Sequence, residues 1–123
     1  MNKRKIGEDA EIFAERYLKK LKYKIIEKNY RTKFGEIDII GIDKSYLVFV
    51  EVKMRTNEKF GNILYSIDKK KMNKIIKAAK FFLTANKRKY NKFDIRFDVI
   101  LLENKRNSQY KITLIKNAFD ADI

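Results

Sequence analysis

Between residues 6 and 21 apolar side chains return at helical spacing. With Ile6 as origin and about 100° per residue, Ile6, Ala10, Phe13, Ala14, Tyr17, Leu18 and Leu21 share one arc. This predicts an amphipathic helix with acidic residues in its opening turns, where the helix dipole favours them. The period then drops to two. "YKIIEKNY" (23–30) predicts a strand, and "EIDIIGI" (36–42) and "YLVFVEVKM" (46–54) predict two more, joined as a hairpin by a short polar turn at Asp43, Lys44 and Ser45. "RTNEKFGN" (55–62) has no period and reads as a loop, with Gly61 available for a tight backbone. A second helix is expected over about 68 to 86, opened by Ser66 or Asp68 as cap. "IRFDVILLE" (95–103) and "YKITLI" (110–115) predict late strands around a polar turn, and the tail "NAFDADI" shows no clear pattern. The order α-β-β-β-α-β-β predicts one α/β or α+β domain over residues 1–123, a sheet with helices packed on it.

Charge interrupts two of these strands. Alternation puts Glu36, Asp38 and Ile40 on one face of the second strand, with Ile37 and Ile39 on the other. In the third, Leu47, Phe49, Glu51 and Lys53 share a face, opposite Tyr46, Val48, Val50 and Val52. If the two strands pair, Asp38 sits beside Glu51 and Lys53 at one end of one face, where burial is costly without a partner or a metal. Two readings fit. One is a structural ion pair of Lys53 with either acid near the rim of the sheet. The other is a metal site for phosphodiester cleavage: converging carboxylates suit hard, octahedral Mg²⁺, and a neighbouring lysine can orient or help deprotonate water and stabilise charge on the phosphate.

Composition narrows the chemistry. The chain has 123 residues, no histidine and no cysteine, which closes His-dependent nucleophilic mechanisms, His-ligated zinc and disulfide frameworks. No apolar run is long enough to span a bilayer, and the start "MNKRKIGEDA" lacks the apolar core of a signal peptide, so a cytoplasmic protein is expected. The net charge of +14 favours a polyanionic partner, nucleic acid ahead of a membrane surface, although AT-rich codon usage also inflates Lys.

Ten basic residues and no acid lie between Lys69 and Lys92. On the helical wheel Met72, Ile75, Ile76, Ala79, Phe82 and Leu83 form the core stripe, and Lys69, Lys70, Lys74, Lys77 and Lys80 the opposite face. That face is either plainly solvated or a phosphate-tracking stripe. Phe81 lies within the lysine arc, as a stray exposed aromatic or a base-stacking one. Arg55 and Lys59 either hold phosphates near the site or simply solubilise a loop. Lys71 breaks the pattern. It falls between the two arcs, so its stem can cross apolar surface and deliver the charge to a substrate phosphate or a site carboxylate, or it snorkels to solvent.

"GEIDII", twelve intervening residues from Asp38 to Glu51, and "FVEVK" resemble the core of the PD-(D/E)XK nuclease superfamily. More closely, the chain resembles the YraN family of bacterial proteins through "GEDAEIFAERYL", "NYRTKFGEIDII", "VFVEVKMR", "FG" at 60–61, "RFDVI" at 96–100 and "NAF" at 117–119. That resemblance implies a restriction-endonuclease-like αβββαβ core, a mixed sheet flanked by helices, similar to archaeal Holliday-junction resolvases, with a homodimer as one arrangement. It assigns Asp38 and Glu51 as metal-binding acids, the Val52 main-chain carbonyl as a further ligand, Lys53 as catalytic lysine, and Glu11 as a helix-borne glutamate of the site. It also places a recurrent lysine at Lys71. On the wheel Glu11 lies at the edge of the apolar arc, whereas Glu8 and Glu15 point nearly opposite; a plain surface charge is its other reading. Two departures stand out: Ile37 replaces the superfamily's usual proline, and Tyr65 stands where an acid is common in the family. The expected function is Mg²⁺- or Mn²⁺-dependent cleavage of DNA, with structured or junction DNA as substrate. The alternatives are a nucleic-acid-binding protein that keeps the nuclease fold without turnover, and a basic ribonucleoprotein assembly protein.

Overall fold

The computed structural model describes residues 3–55, 68–104 and 110–121, with side chains from Asp9 to Met54, Asp68 to Glu103 and Tyr110 to Ala121. Two residues, Lys44 and Ser45, reverse the chain between β2 (Glu36–Asp43) and β3 (Tyr46–Arg55), because Lys44 takes the left-handed φ of 55° that tight hairpin turns need. The register runs from Asp43–Tyr46 at the turn to Ile39–Val50. β1 (Lys24–Arg31) lies antiparallel along the outer side of β2. On its other side β3 is parallel to β4 (Asp94–Asn104), and the crossover between them contains α2 (Lys69–Ala85) and the short α3 (Lys87–Tyr90). β5 (Tyr110–Ile115) returns antiparallel to β4. Among the described residues this is a five-stranded mixed sheet in the order β1-β2-β3-β4-β5, with α1 (Lys3–Lys20) and α2 on its two faces. The expected αβββαβ core is present.

Alternation along β3 and β4 supplies a core to each face. Under α2, Ile40, Leu47, Phe49 and Phe97 meet Ile75, Ala78, Ala79 and Phe82. Under α1, Ile39, Val48, Val50, Ile100 and Leu102 meet Ala10, Ala14 and Leu18. Each large aliphatic side chain buried this way contributes about 1.5–3 kcal/mol. Asp68 caps α2 by accepting the Lys71 amide at 2.7 Å, and at the other end the Asn86 side chain donates to the Phe82 carbonyl.

Several expectations need correction. α1 starts at Lys3, so its first turn carries no acid. Phe13 and Leu21, expected in the helix's apolar arc, are 41% and 42% exposed; Phe13 packs edge-on against Tyr110 at the rim. Strand alternation also fails at one point. Ile37 joins the cluster under α2, although Ile39 two residues on packs under α1. In β1, between the pairs Lys28–Ile39 and Tyr30–Ile37, Asn29 adopts φ 52°, which interrupts the pleat opposite Asp38. The four-residue α3 was not anticipated, being too short for a periodic signal. The tail is anchored: Phe119 stacks on Phe97 with ring centroids 4.9 Å apart. No described helix is long and apolar enough to cross a membrane.

Candidate functional site

The β2–β3 register, continued one step beyond Ile39–Val50, sets Asp38 across from Glu51. Both acids face the α2 side and line a cleft of about 370 Å³ with Gly35, Glu36, Asp68, Lys70, Lys71, Lys74 and Ile75. Glu51 is 4% exposed. Its carboxylate pairs with Lys71 Nζ at 2.9 Å, so the lysine between the two helical arcs does reach a site carboxylate. Burial alone would lower the Lys71 pKa, but the hydrogen bond and charge of Glu51, with Asp38 behind it, hold it above its ordinary value.

Asp38 is held by the backbone, its Oδ2 accepting the Val52 amide at 2.8 Å. Burial first, then the Glu51 charge, push its carboxyl up to about 8; the Val52 hydrogen bond opposes this and the Glu11 charge adds to it. Because the amide and carbonyl of one strand residue leave on the same side, the Val52 carbonyl faces the Asp38 side of β3. Glu11 sits on α1 and lines a different cleft with Ile12, Glu15, Lys28 and Asn29, yet its charge is felt at Asp38. Lys53 follows Glu51 by two positions on β3, beside Leu101 of β4, and is partly buried. Among the described residues it forms no ion pair with either acid, so the Lys53 bridge expected as a structural alternative is replaced by Lys71.

Lys74 lines the acid cleft, whereas Lys77 and Lys80 line a neighbouring one with Phe34, Phe81 and Thr84. Lys59, Gly61, Tyr65, Ser66 and the side chain of Arg55 lie outside the described residues.

Sequence reasoning missed a second polar cluster, on the α1 face. Arg96 Nε donates to Asp98 Oδ1 at 2.8 Å, and Nη2 lies 2.8–2.9 Å from Asp43 Oδ2, Asp98 Oδ2 and the Tyr23 hydroxyl. Tyr23 in turn donates to Asp98 at 2.9 Å, the Asn117 amide to Asp98 at 3.0 Å, and Lys116 to Asp43 at 3.4 Å. Burial opposes the Arg96 charge, but the hydrogen bonds it donates to Asp98 and Asp43 raise its pKa. Burial and the Asp98 charge likewise raise that of Tyr23. The R-x-D spacing within "RFDVI" was the available signal, since alternation puts Arg96 and Asp98 on one face.

The family model described as "Uncharacterised protein family UPF0102" matches residues 10–102, a span that holds Asp38, Glu51, Lys53, Lys71 and Arg96. A UPF0102 protein of Legionella pneumophila is 48% identical over 115 residues, 94% of each chain. Another from Clostridium botulinum strain Kyoto is 47% identical over 115 residues, 93% of each chain. With matches of that extent, the chain belongs to the UPF0102 family, also known as YraN.

Proposed function

We propose that this protein is a Mg²⁺-dependent nuclease-like enzyme of the PD-(D/E)XK type that hydrolyses phosphodiester bonds of DNA, with structured or junction DNA as its substrate. The observation that carries the reading is the carboxylate pair: Asp38 and Glu51 are drawn from adjacent strands into one lysine-lined cleft, close enough for Glu51 to raise the Asp38 pKa. A buried acid, Glu51, set against a partly buried one, Asp38, is unfavourable unless a cation joins them. The donor set is all hard oxygen, which fits Mg²⁺ or Mn²⁺. Asp38, Glu51 and the Val52 carbonyl would hold the ion, and when bound it would activate water and neutralise phosphate charge.

The chain's own residues have complementary tasks. The Val52 amide fixes one Asp38 oxygen and leaves the other directed elsewhere. Lys70 and Lys74, at the mouth of the cleft, attract and orient phosphate. Lys53, on the same strand as Glu51, positions water or stabilises the developing charge, and Glu11 tunes Asp38 from the far face. Of linear, flapped and four-way DNA incubated with Mg²⁺ or Mn²⁺, at least one structured form should be cut, and Lys53→Ala should abolish cleavage with Mn²⁺ binding intact. Absence of cutting of every substrate by the wild-type protein would reject the reading.

The second reading, a DNA-binding domain without turnover, draws on the Lys71–Glu51 ion pair, in which an ammonium already neutralises one acid.

A further inference from the structure

Next to the acid cleft lies a second one, of about 340 Å³, lined by Phe34, Lys77, Lys80, Phe81 and Thr84. Phe34 and Phe81 are 40% and 47% exposed, with ring centroids 6.5 Å apart and planes tilted by 59°. They come from different elements, Phe34 from the β1–β2 turn and Phe81 from the lysine face of α2. The turn is rigid: the Phe34 and Gly35 amides both donate to the Thr32 hydroxyl oxygen, and the Thr32 amide and hydroxyl both donate to the Gly35 carbonyl. It is also seated on the helix. A Cβ at Gly35 would stand 3.1 Å from both the Cβ and the carbonyl oxygen of Lys74, so any larger residue there would press the turn off the helix by a few tenths of an ångström. Phe34 and Gly35 thus form one wall shared by the two clefts, and α2 forms the other.

We propose that the Phe34–Phe81 cleft is a stacking platform for unpaired bases of the nucleic acid whose backbone enters the Asp38–Glu51 cleft. The proposal rests on the nuclease reading for the identity of the neighbouring cleft and narrows its substrate to DNA with a single-stranded segment beside the scissile phosphate. Charge complementarity selects the occupant. The lining has two lysines and no acid, and Lys33 Nζ stands 5.2 Å over the Phe34 ring, so the ligand combines flat apolar faces with anionic groups. Single-stranded nucleic acid does so at every residue, since each base offers a π-face and each linkage a phosphate. Paired bases would keep those faces inside the duplex. From Lys71 to Phe81 the helix advances roughly 15 Å at 1.5 Å per residue, the length of about four stacked nucleotides.

Binding is measured by fluorescence anisotropy in EDTA, where cleavage plays no part, with labelled single-stranded, flapped and fully duplex DNA. Phe34→Leu and Phe81→Leu keep apolar volume at exposed positions and remove the ring, and thermal unfolding verifies the fold. Each should weaken single-stranded and flapped DNA at least fivefold, leave duplex affinity within twofold, and leave the salt slope unchanged. Lys77→Gln should instead flatten the salt slope on all three DNAs. A 2-aminopurine in the single-stranded arm should be quenched by the wild-type protein and not by Phe81→Leu. Equal losses on all DNAs, or no loss, would overturn the platform. So would Phe-dependent binding to phosphatidylserine vesicles in place of single-stranded DNA. If the Phe variants lose single-stranded binding while no DNA is ever cut, the nuclease reading fails and the platform stands; undiminished flap cleavage and binding by both variants gives the reverse.

Discussion

Two groups of carboxylates lie in this sheet, on opposite faces, all buried except the partly buried Asp38, and the chain neutralises them to different degrees. On the α1 face Asp43 and Asp98 share Arg96 and Lys116, two cations for two anions, with the Tyr23 hydroxyl and the Asn117 amide completing the hydrogen bonding. On the α2 face, among the described residues, Asp38 and Glu51 have one ion-pair partner, the ammonium of Lys71, whose side chain is half exposed, while Glu11 adds negative potential from behind. Among the described residues no buried side-chain polar atom lacks a hydrogen-bond partner, so both groups satisfy the geometric requirement. The difference lies in charge. A chain that matches two buried aspartates with fixed cations gives Asp38 and Glu51 one ion-pair partner among the described residues. It leaves a proton on Asp38 to make up the difference below about pH 8, in a cleft open to solvent and lined by lysines. Departures of that kind concentrate where a protein binds something.

The largest test of the contrast is Arg96→Met. It strands Asp98, which is fully buried, and should cost about 3–5 kcal/mol in denaturant unfolding. A loss below about 1 kcal/mol would show that the α1-face cluster is no more compensated than the other.

Asp38→Asn should have the opposite sign. It keeps an acceptor for the Val52 amide and removes a charge that folding disfavours. The Asp38 carboxyl is pushed up to about 8 in the folded protein from an ordinary aspartate value of 3.8, so between those values the folded state holds a proton that the unfolded state has released. Wild-type stability therefore falls as pH rises through that window. Asp38→Asn should match wild type near pH 4 and exceed it by about 1–3 kcal/mol at pH 8, less than the full ~1.4 kcal/mol per pH unit because solvent and Lys71 relieve part of the charge. Thermal melts across pH measure this, and a destabilised variant at pH 8 would contradict the raised pKa.

A divalent ion should discriminate between the two groups. Calorimetric Mn²⁺ affinity should rise with pH up to about 8, as Asp38 gives up its proton, and Glu51→Gln should weaken it at least tenfold, about 1.4 kcal/mol. Asp43→Asn should leave it unchanged. Equal losses from Glu51→Gln and Asp43→Asn would erase the distinction.

The smallest expected effect sharpens it most. Lys71→Met removes the ammonium that competes with a metal for Glu51, so Mn²⁺ should bind a few-fold more tightly, whereas Lys70→Met, with no ion pair to Glu51, should leave binding unchanged. Weaker binding in Lys71→Met would mean that the lysine supports the ion's site.

These two groups were not equally legible in the sequence. Asp38 and Glu51 stand in one hairpin, where alternation and a short turn determine which residues face each other, so their meeting follows from local pattern. The helical wheel set Lys71 between the lysine and apolar arcs, which left both the sheet side and solvent open to it; the pair with Glu51 depends on how the helix docks. Tyr23, Asp43, Arg96 and Lys116 converge from four separate parts of the chain, and no periodicity relates the two faces of a connector, a turn, a strand and a tail. The exposure of Phe81 followed from its arc, but its neighbour Phe34 depends on how a turn docks on a helix. The fold class needed only the order of elements. The inward turn of Ile37 needed the left-handed Asn29 in the next strand, a backbone detail that neither strand's hydrophobic pattern encodes.

The two-residue turn at Lys44 and Ser45 also sets a sequence of events in time. Short hairpins close within about 1–10 μs, whereas the parallel pairing of β3 with β4 joins Tyr46 to Asp94 and must wait until α2 has crossed the sheet. Asp38 and Glu51 therefore confront each other during the first steps of folding, before the helix that carries Lys71 has docked. The repulsion then acts on the nucleus as well as on the finished protein. Raising the pH from 5 to 8 should slow refolding through the Glu51 repulsion and speed unfolding by more, since the larger share of the shift comes from burial after α2 docks, and Asp38→Asn should remove both dependences.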